Sequence, residues 1–336
     1  MAMIIHWYDL VCFAIVAVAI LGSSWVVRGR EGPGRRRTGT KNESLLLALL
    51  DGETAVEEAG RVACRQLWMS CWRWMDPLWL LGLRGVAAVV MAVLLACDIG
   101  RYDATIFVYY TEWTFALVIL YFVLGVGISA HGCWMFSRHH IDPEEEGPFL
   151  NSDLEDSTPS IPFTRNKVNG NIKLPSQGEQ EEKERVAGFG GYLMQILYQT
   201  CAGAVVLTDI VFWFMIVPFL TNEHFKLNML MGCMHTLNAV FLVIDTAVNS
   251  LPFPLFRSAY FVLWSCIYVI FQWILHACGF TWWPYPFLEL ATPWAPAWYL
   301  CLALIHIPCY GLYSLIVKAK HLFFPKLFPN AYIQSC

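Results

Sequence analysis

Charged residues are scarce in this chain of 336 residues, of which only 14% are Asp, Glu, Lys or Arg. A soluble domain carries roughly 25% charged residues, so a water-soluble globule is excluded because it would have too few polar groups to cover its surface. The 57% apolar and 15% aromatic shares exclude a largely disordered chain. A nucleic-acid binder would need a basic stripe, which is lacking, and we expect no nucleic-acid partner. The composition predicts a protein that crosses a membrane several times.

Motifs for metals and cofactors are also lacking. The 12 cysteines include no CxxC pair, and most lie in apolar runs, where cysteine behaves as a small hydrophobic residue. The chain contains no Gly-x-Ser-x-Gly elbow, no phosphate-binding Walker loop and no His-Glu-x-x-His motif. We therefore expect neither a disulfide framework nor a bound metal or cofactor.

Seven apolar stretches are long enough to cross a bilayer core, which takes about 20 residues of α-helix. Backbone polar groups in hydrocarbon must be satisfied within the segment, so helices are the expected conformation. The predicted spans are 8–27, 78–97, 106–129, 192–220, 227–249, 257–277 and 294–317. We predict an all-α membrane protein without β-sheet, in which one N-terminal anchor helix precedes a core of six transmembrane helices.

The segments between the spans divide the chain into regions. The predicted regions are a transmembrane anchor at 1–27, a basic linker at 28–77, a membrane core at 78–320 and a tail at 321–336. The linker contains a candidate amphipathic helix that begins at 45–50. A polar insert at 141–188 interrupts the core, and its low hydrophobicity predicts disorder.

Lysine and arginine accumulate in alternate loops. The linker, the polar insert and the tail are basic, whereas the opposite loops contain little beyond Arg101 and Lys226. By the positive-inside rule the basic loops face the cytosol. We predict an extracellular or luminal N-terminus and a cytosolic C-terminus, in the endoplasmic reticulum or the plasma membrane. The glycosylation motif at Asn42 would then lie in the cytosol and stay unmodified.

Polar side chains inside the spans are the candidates for function, because they are costly in lipid. In the fifth span, His235, Asn238, Asp245 and Asn249 recur at helical spacing and line one face. Arg84, near the end of the second span, is expected to snorkel toward the basic surface.

Depth brings three of these polar groups together. Thr114 and His235 each lie about 12 Å below the same end of their spans at a rise of 1.5 Å per residue, and Asp209 lies not far below. A hydroxyl is a weak nucleophile unless a base lies within hydrogen-bond reach. Both residues also have non-catalytic alternatives. The Thr114 hydroxyl would donate to the carbonyl one turn back in its own helix, and His235 would only form a polar contact between helices.

Four short motifs stand within or beside the spans. They are Trp-Thr-Phe at 113–115, Met-His-Thr at 234–236, His-Ala-Cys-Gly at 276–279 and Tyr-Pro-Phe-Leu-Glu at 285–289. With these motifs the chain resembles the androgen-induced protein family, and the region around Trp-Thr-Phe is similar to its plant rolling-stone-like branch. The resemblance covers residues 75–320 without the polar insert.

The resemblance implies a multi-span hydrolase of fatty acid esters of hydroxy fatty acids. It implies a threonine nucleophile at Thr114 and a histidine base at His235. The chain departs from the vertebrate pattern just before Met-His-Thr, where Met231 and Gly232 replace an Asn-His pair. Rolling-stone-like members are associated with cell fusion rather than a defined reaction.

The leading hypothesis is a membrane-embedded lipid ester hydrolase. Thr114 attacks the ester carbonyl, His235 transfers the proton, and Asn238 or Asp209 orients the imidazole. Its partners are the bilayer and a lipid-like substrate that approaches sideways from the lipid. The alternatives are a non-catalytic scaffold or receptor-like protein and, third, a transporter that depends on Asp245 and Asp209.

Overall fold

The computed structural model describes residues 6–31, 62–141, 187–220 and 229–333. Within these ranges the chain forms helices and no β-strand, apart from the isolated bridges Ser70–Asn249 and Trp72–Tyr332. The candidate amphipathic helix at 45–50, the glycosylation motif at Asn42 and nearly all of the polar insert lie outside the described residues.

The α-helices of the described residues are labelled here in chain order, apart from the short turn Val217–Leu220. They are α1 (Trp7–Glu31), α2 (Cys64–Trp68), α3 (Pro77–Tyr102), α4 (Tyr110–Ile141), α5 (Phe189–Val211), α6 (Met229–Val248), α7 (Ser258–Ala277) and α8 (Ala295–Leu327). A π-helical turn, Phe212–Ile216, continues α5. Side chains are described up to Arg138 in α4.

Among the described residues, every helix except the short α2 and the Val217–Leu220 turn is long and apolar enough to cross a membrane, which gives seven candidate spans. The prediction of an all-α membrane protein with seven spans is therefore confirmed. The longest differences from the sequence-based boundaries are at α4 and α8, which continue to Ile141 and Leu327, beyond the predicted ends at 129 and 317.

Helix α5 forms the centre of the bundle. It packs against α4, α6, α7 and α8, and 61% of its most apolar window is buried, compared with 11% for α1. Gly203 allows α5 to approach α7 closely, because a Cβ atom there would lie 2.4 Å from Cδ1 of Phe261. Helix α1 lies outside this core, across α7 and α8.

One end of the bundle gathers the basic loops. The Cys71 amide donates to the Val248 carbonyl at 2.9 Å, and the Ile333 amide donates to the Cys71 carbonyl at 2.8 Å. Arg257, just before α7, pairs with Glu31 at the end of α1 at 2.9 Å. The start of α3 and the ends of α1, α6 and α8 therefore share one end, named here the basic end, as the alternation of charge predicts.

Arg84 does not snorkel, contrary to the sequence-based expectation. Its side chain is fully buried, and its Nε donates to Oδ1 of Asp245 on α6 at 2.9 Å. Its Nη1 donates to the Leu67 carbonyl at 2.8 Å and to Oγ of Ser129 at 2.7 Å. The prediction was wrong because a carboxylate and two oxygen acceptors at this level replace the water that a snorkelling arginine seeks.

Asp245 is surrounded by donors. Besides Arg84, the Tyr121 hydroxyl donates to Oδ2 at 2.5 Å and the Asn249 side-chain amide donates to the same oxygen at 2.9 Å. Arg84, Asp245, Tyr121, Ser129 and Asn249 form a buried cluster across α3, α4 and α6, named here the basic-end network. The polar face predicted on the fifth span is thus buried. Its two residues nearest the basic end, Asp245 and Asn249, belong to this network.

Candidate functional site

Thr114 departs from the usual behaviour of threonine in a membrane helix. Its side chain is fully buried, and its Oγ1 has no hydrogen-bond partner. In contrast, the hydroxyls of Thr208 and Thr246 donate to carbonyls of their own helices at 2.9 Å and 2.8 Å. The phenol of Tyr110 lies near the Thr114 hydroxyl but outside hydrogen-bonding geometry. The non-catalytic alternative for Thr114, a hydrogen bond from its hydroxyl to a carbonyl of its own helix, is therefore wrong.

The register between α4 and α6 sets the depth of Thr114. The two helices run in the same direction, and Tyr121 on α4 bonds Asp245 on α6. Thr114 and Asn238 each stand about two helical turns before this contact at 3.6 residues per turn, so they lie at one level. His235 lies about one turn nearer the end opposite to the basic end. No hydrogen bond joins Thr114 to His235, since Thr114 Oγ1 has no partner.

His235 is held between an acid and a ring. Its Nδ1 lies 3.4 Å from Oδ1 of Asp209, and its imidazole stacks on Phe212 with 3.6 Å between ring centroids. Phe212 opens the π-helical turn after α5, a feature that is frequent at functional sites. The side-chain Oδ1 of Asn238 accepts from the Ala239 backbone amide at 2.6 Å. Of the two predicted supporting residues, Asp209 is thus the one whose carboxylate lies beside the imidazole.

A cavity of about 80 Å³ lies between α4, α5, α7 and α8, and its lining residues do not include Thr114, His235 or Asp209. Tyr110 and Thr111 line it from α4, one turn before Thr114, and residues four apart on a helix face the same side. Leu207 and Val211 line it from α5, and Asp209, two residues from each, lies on the opposite face of that helix, toward His235 on α6. Most of its lining residues are apolar or aromatic, which suits a short stretch of an apolar chain.

The Tyr-Pro-Phe-Leu-Glu motif contributes to the same cavity. Tyr285, Phe287 and Leu288 lie among its lining residues. His276, from the other motif in this region, stacks on Trp283 with 3.6 Å between ring centroids, and its Nδ1 contacts the Gln272 carbonyl at 2.7 Å. The Tyr-Pro-Phe-Leu-Glu motif therefore borders the cavity, whereas His276 stabilises the turn beside the cavity.

A serine and a histidine, which the sequence did not pair, meet at the cavity wall. Oγ of Ser265 on α7 lies 2.8 Å from Nε2 of His306 on α8. Nδ1 of His306 lies 2.6 Å from the carbonyl of Leu302, and the Tyr110 hydroxyl lies 2.8 Å from Ser265 Oγ. Ser265, His306 and Tyr110 all line the cavity.

A sequence signal for this group exists but is weak. Tyr268 and Gln272 follow Ser265 by one and two turns, and both are buried on the face of α7 toward α4. Ser265 therefore belongs to a polar stripe in an otherwise apolar helix. Sequence patterns could not predict the partner of Ser265, because α7 and α8 are joined by a long loop that sets their relative height.

The described residues contain no group of three or more His, Cys, Asp or Glu side chains that could hold a metal ion. The site is instead built from hydroxyl groups, imidazoles, one carboxylate and an apolar cavity, inside a bundle of membrane-spanning length. The chain is thus a multi-pass membrane protein of the all-α class. It matches no family model, no curated protein and no solved structure.

Proposed function

We propose that the protein is a membrane-embedded lipid ester hydrolase with Thr114 as nucleophile and His235 as base. The observation that carries the proposal is the buried hydroxyl of Thr114, which has no hydrogen-bond partner and lies one turn from a cavity. A buried polar group left without a partner costs about 1–3 kcal/mol. Such a cost is explained when the hydroxyl is kept for a reacting group that is absent in the resting protein.

The reaction is acyl transfer to a hydroxyl followed by hydrolysis. Thr114 Oγ1 attacks the ester carbonyl while His235 accepts its proton, and the imidazolium then gives that proton to the departing alkoxide. Water next attacks the acyl-threonine with His235 again as base, which releases the fatty acid. Asp209 stabilises the imidazolium and fixes its orientation. The hydroxyl and the imidazole approach in the substrate complex, since catalytic hydrogen bonds are often long in unliganded enzymes.

The substrate class follows from the surroundings of the hydroxyl. An apolar cavity within a transmembrane bundle suits an acyl chain, and lateral access from the lipid suits an ester that resides in the bilayer. The family resemblance points to fatty acid esters of hydroxy fatty acids. The proposed setting is the endoplasmic reticulum or the plasma membrane, with the C-terminus in the cytosol.

The test is hydrolysis of such an ester by the protein in phosphatidylcholine vesicles. We expect Thr114→Val to abolish acylation at this position, located by mass spectrometry, without lowering the unfolding temperature, and His235→Gln to slow that acylation by about 10²–10⁴-fold. Thr246→Val is the matched control, because Thr246 is a buried threonine whose hydroxyl donates to a carbonyl of its own helix and which is not a lining residue of the cavity. Absence of acylation at Thr114 in the folded wild-type protein would refute the proposal.

A non-catalytic scaffold is the second candidate function. The observation in its favour is that Asp245, on the polar face of α6, contacts structural donors from two other elements of the bundle. A scaffold predicts that Thr114→Val and His235→Gln leave every biochemical property unchanged. A transporter, the remaining alternative, predicts that solute flux depends on Asp245 and Asp209 rather than on Thr114.

A further inference from the structure

The contacts of His306 determine which of its nitrogens carries a proton. A carbonyl oxygen can only accept a hydrogen bond, so Nδ1 of His306, 2.6 Å from the Leu302 carbonyl, must be the protonated nitrogen. In a neutral imidazole the other nitrogen, Nε2, is then an acceptor. Nε2 faces the Ser265 hydroxyl at 2.8 Å. The backbone of α8 thus holds His306 in the tautomer that can accept the proton of Ser265.

The remaining contacts of Ser265 agree with this direction of proton donation. With its own proton directed at His306, Ser265 Oγ accepts a hydrogen bond from the Tyr110 hydroxyl at 2.8 Å. The Phe261 carbonyl, 3.2 Å from Oγ, is the competing acceptor for the serine proton, at the longer distance. A nucleophile, a base within reach and a group that orients the base are the three parts that an activated hydroxyl requires.

We infer that Ser265 and His306 form a second nucleophile–base pair that accepts an acyl group from a lipid ester lying in the cavity between α4, α5, α7 and α8. The inference rests on the paired side chains and the cavity, and it goes beyond the proposed role of Thr114. Ser265 is only partly buried, and both members of the pair line the cavity together with apolar residues such as Leu207 and Val211.

The chemical step is balanced by the ester and by water. Ser265 Oγ forms a bond to the carbonyl carbon, its proton passes to Nε2 of His306, and the bond to the leaving oxygen breaks as that oxygen takes the proton. Water then attacks the acyl-serine, with His306 as base, and releases a fatty acid. No oxidant, metal or cofactor takes part.

Covalent labelling tests the pair directly. The full-length protein in phosphatidylcholine vesicles is treated with a long-chain alkyl fluorophosphonate, and the modified residue is located by mass spectrometry. We expect labelling at Ser265, loss of that label in Ser265→Ala, and a fall in its rate by at least about a hundredfold in His306→Gln. Thr114→Val should leave the Ser265 label unchanged, so the two proposals fail separately.

Two variants control for altered packing. Ser314→Ala removes a buried serine from α8, and His321→Gln removes a histidine that contacts Tyr332 and is not among the cavity's lining residues. Both should label at the wild-type rate. The inference is overturned if folded wild-type protein carries no label at Ser265. It is also overturned if His306→Gln labels as fast as wild type while its unfolding temperature is unchanged.

Discussion

Two polar layers cross this bundle, and they differ in how their polar groups are satisfied. In the basic-end network, Asp245 accepts hydrogen bonds from three side chains, and it is fully buried together with Arg84. The layer nearer the opposite end contains Thr114, His235 and the Ser265–His306 pair. In that layer a buried hydroxyl lacks a partner and a cavity lies alongside.

The difference separates groups that hold the bundle from groups that can react. A carboxylate with three donors has little left to offer a substrate, and removing it would leave a buried cation uncompensated. An unpartnered buried hydroxyl costs stability instead of contributing to it, and it is available to a ligand. The basic-end network also has an unpaired atom, Nη2 of Arg84, but that atom belongs to a side chain whose other nitrogens are bound. Comparing variants of the two layers tests this distinction.

The largest effect is expected for Asp245→Asn. This change keeps the shape of the side chain but leaves the buried Arg84 without its counter-charge, which should lower the free energy of unfolding by about 3–5 kcal/mol. The matched change in the other layer is Asp209→Asn. The Asp209 side chain is 20% exposed and makes a single long contact with His235, so we expect a loss of about 1 kcal/mol or less.

Unfolding in mixed detergent micelles, followed by circular dichroism, measures both losses. Asn249→Ala provides a second variant of the basic-end network that removes one donor to Asp245 and keeps the ion pair. Its loss should fall between those of the two aspartate variants. Equal losses for Asp245→Asn and Asp209→Asn would remove the distinction between a structural and a reactive layer.

Sequence patterns predicted the spans better than the contacts inside them. Seven long apolar runs become seven helices because length and hydrophobicity determine a span locally. The buried face of α6 also follows from spacing alone. The state of Arg84 does not, because it depends on Asp245, which lies 161 residues away in the chain.

In the candidate site, too, the sequence predicted positions along the helices but not the contacts between them. Thr114, His235 and Asp209 were chosen by depth, and the structure brings His235 to Asp209, but it leaves Thr114 and His235 without a hydrogen bond to each other. Ser265 was missed because the polar stripe to which it belongs on α7 is short and does not reveal its partner on α8. Its pairing with His306 depends on the rotation of α7 and the height of α8, which tertiary packing determines.

The second prediction concerns Asp209 as a positioning residue. In Asp209→Asn a neutral amide replaces the carboxylate that faces His235, and a hydrogen bond to a charged group is worth roughly 1.5–3 kcal/mol. Fluorophosphonate labelling at Thr114 should therefore slow by about 10- to 100-fold. Labelling at Ser265 serves as the internal control and should not change. Equal slowing at both residues would show a general loss of folding instead of a local effect.

The third prediction separates the layers by packing. In Gly203→Ala the new Cβ would lie 2.4 Å from Phe261, whose ring lies 4.5 Å from that of His306. Displacing Phe261 should cost about 1–3 kcal/mol of unfolding free energy and slow labelling at Ser265. Gly127→Ala is the control on α4, because a Cβ there meets no atom within 4 Å.

Gly125→Ala makes the corresponding change beside the basic-end network. Its Cβ would lie 3.1 Å from Cδ of Arg84, a tight contact that a small shift of the arginine can relieve. We expect a smaller loss of stability than in Gly203→Ala and an unchanged rate of labelling at Ser265. Slower labelling at Ser265 in Gly125→Ala would mean that the two layers are coupled through α4.

The smallest effect is expected at the second ion pair of the basic end, between Arg257 and Glu31. Arg257 is fully buried, like Arg84, but Glu31 retains 12% side-chain exposure, and the guanidinium also donates to Gln195 on α5. Glu31→Gln removes the charge and keeps one oxygen for Arg257, and its NH2 group replaces the oxygen that accepts from Tyr192 and Tyr260, whose hydroxyls can accept in turn. Because charge-assisted hydrogen bonds are about twice as strong as neutral ones, the loss should be about 1 kcal/mol. Unfolding measured beside Asp245→Asn checks this order, and a loss as large as that of Asp245→Asn would mean that α1 is as integral to the bundle as α6.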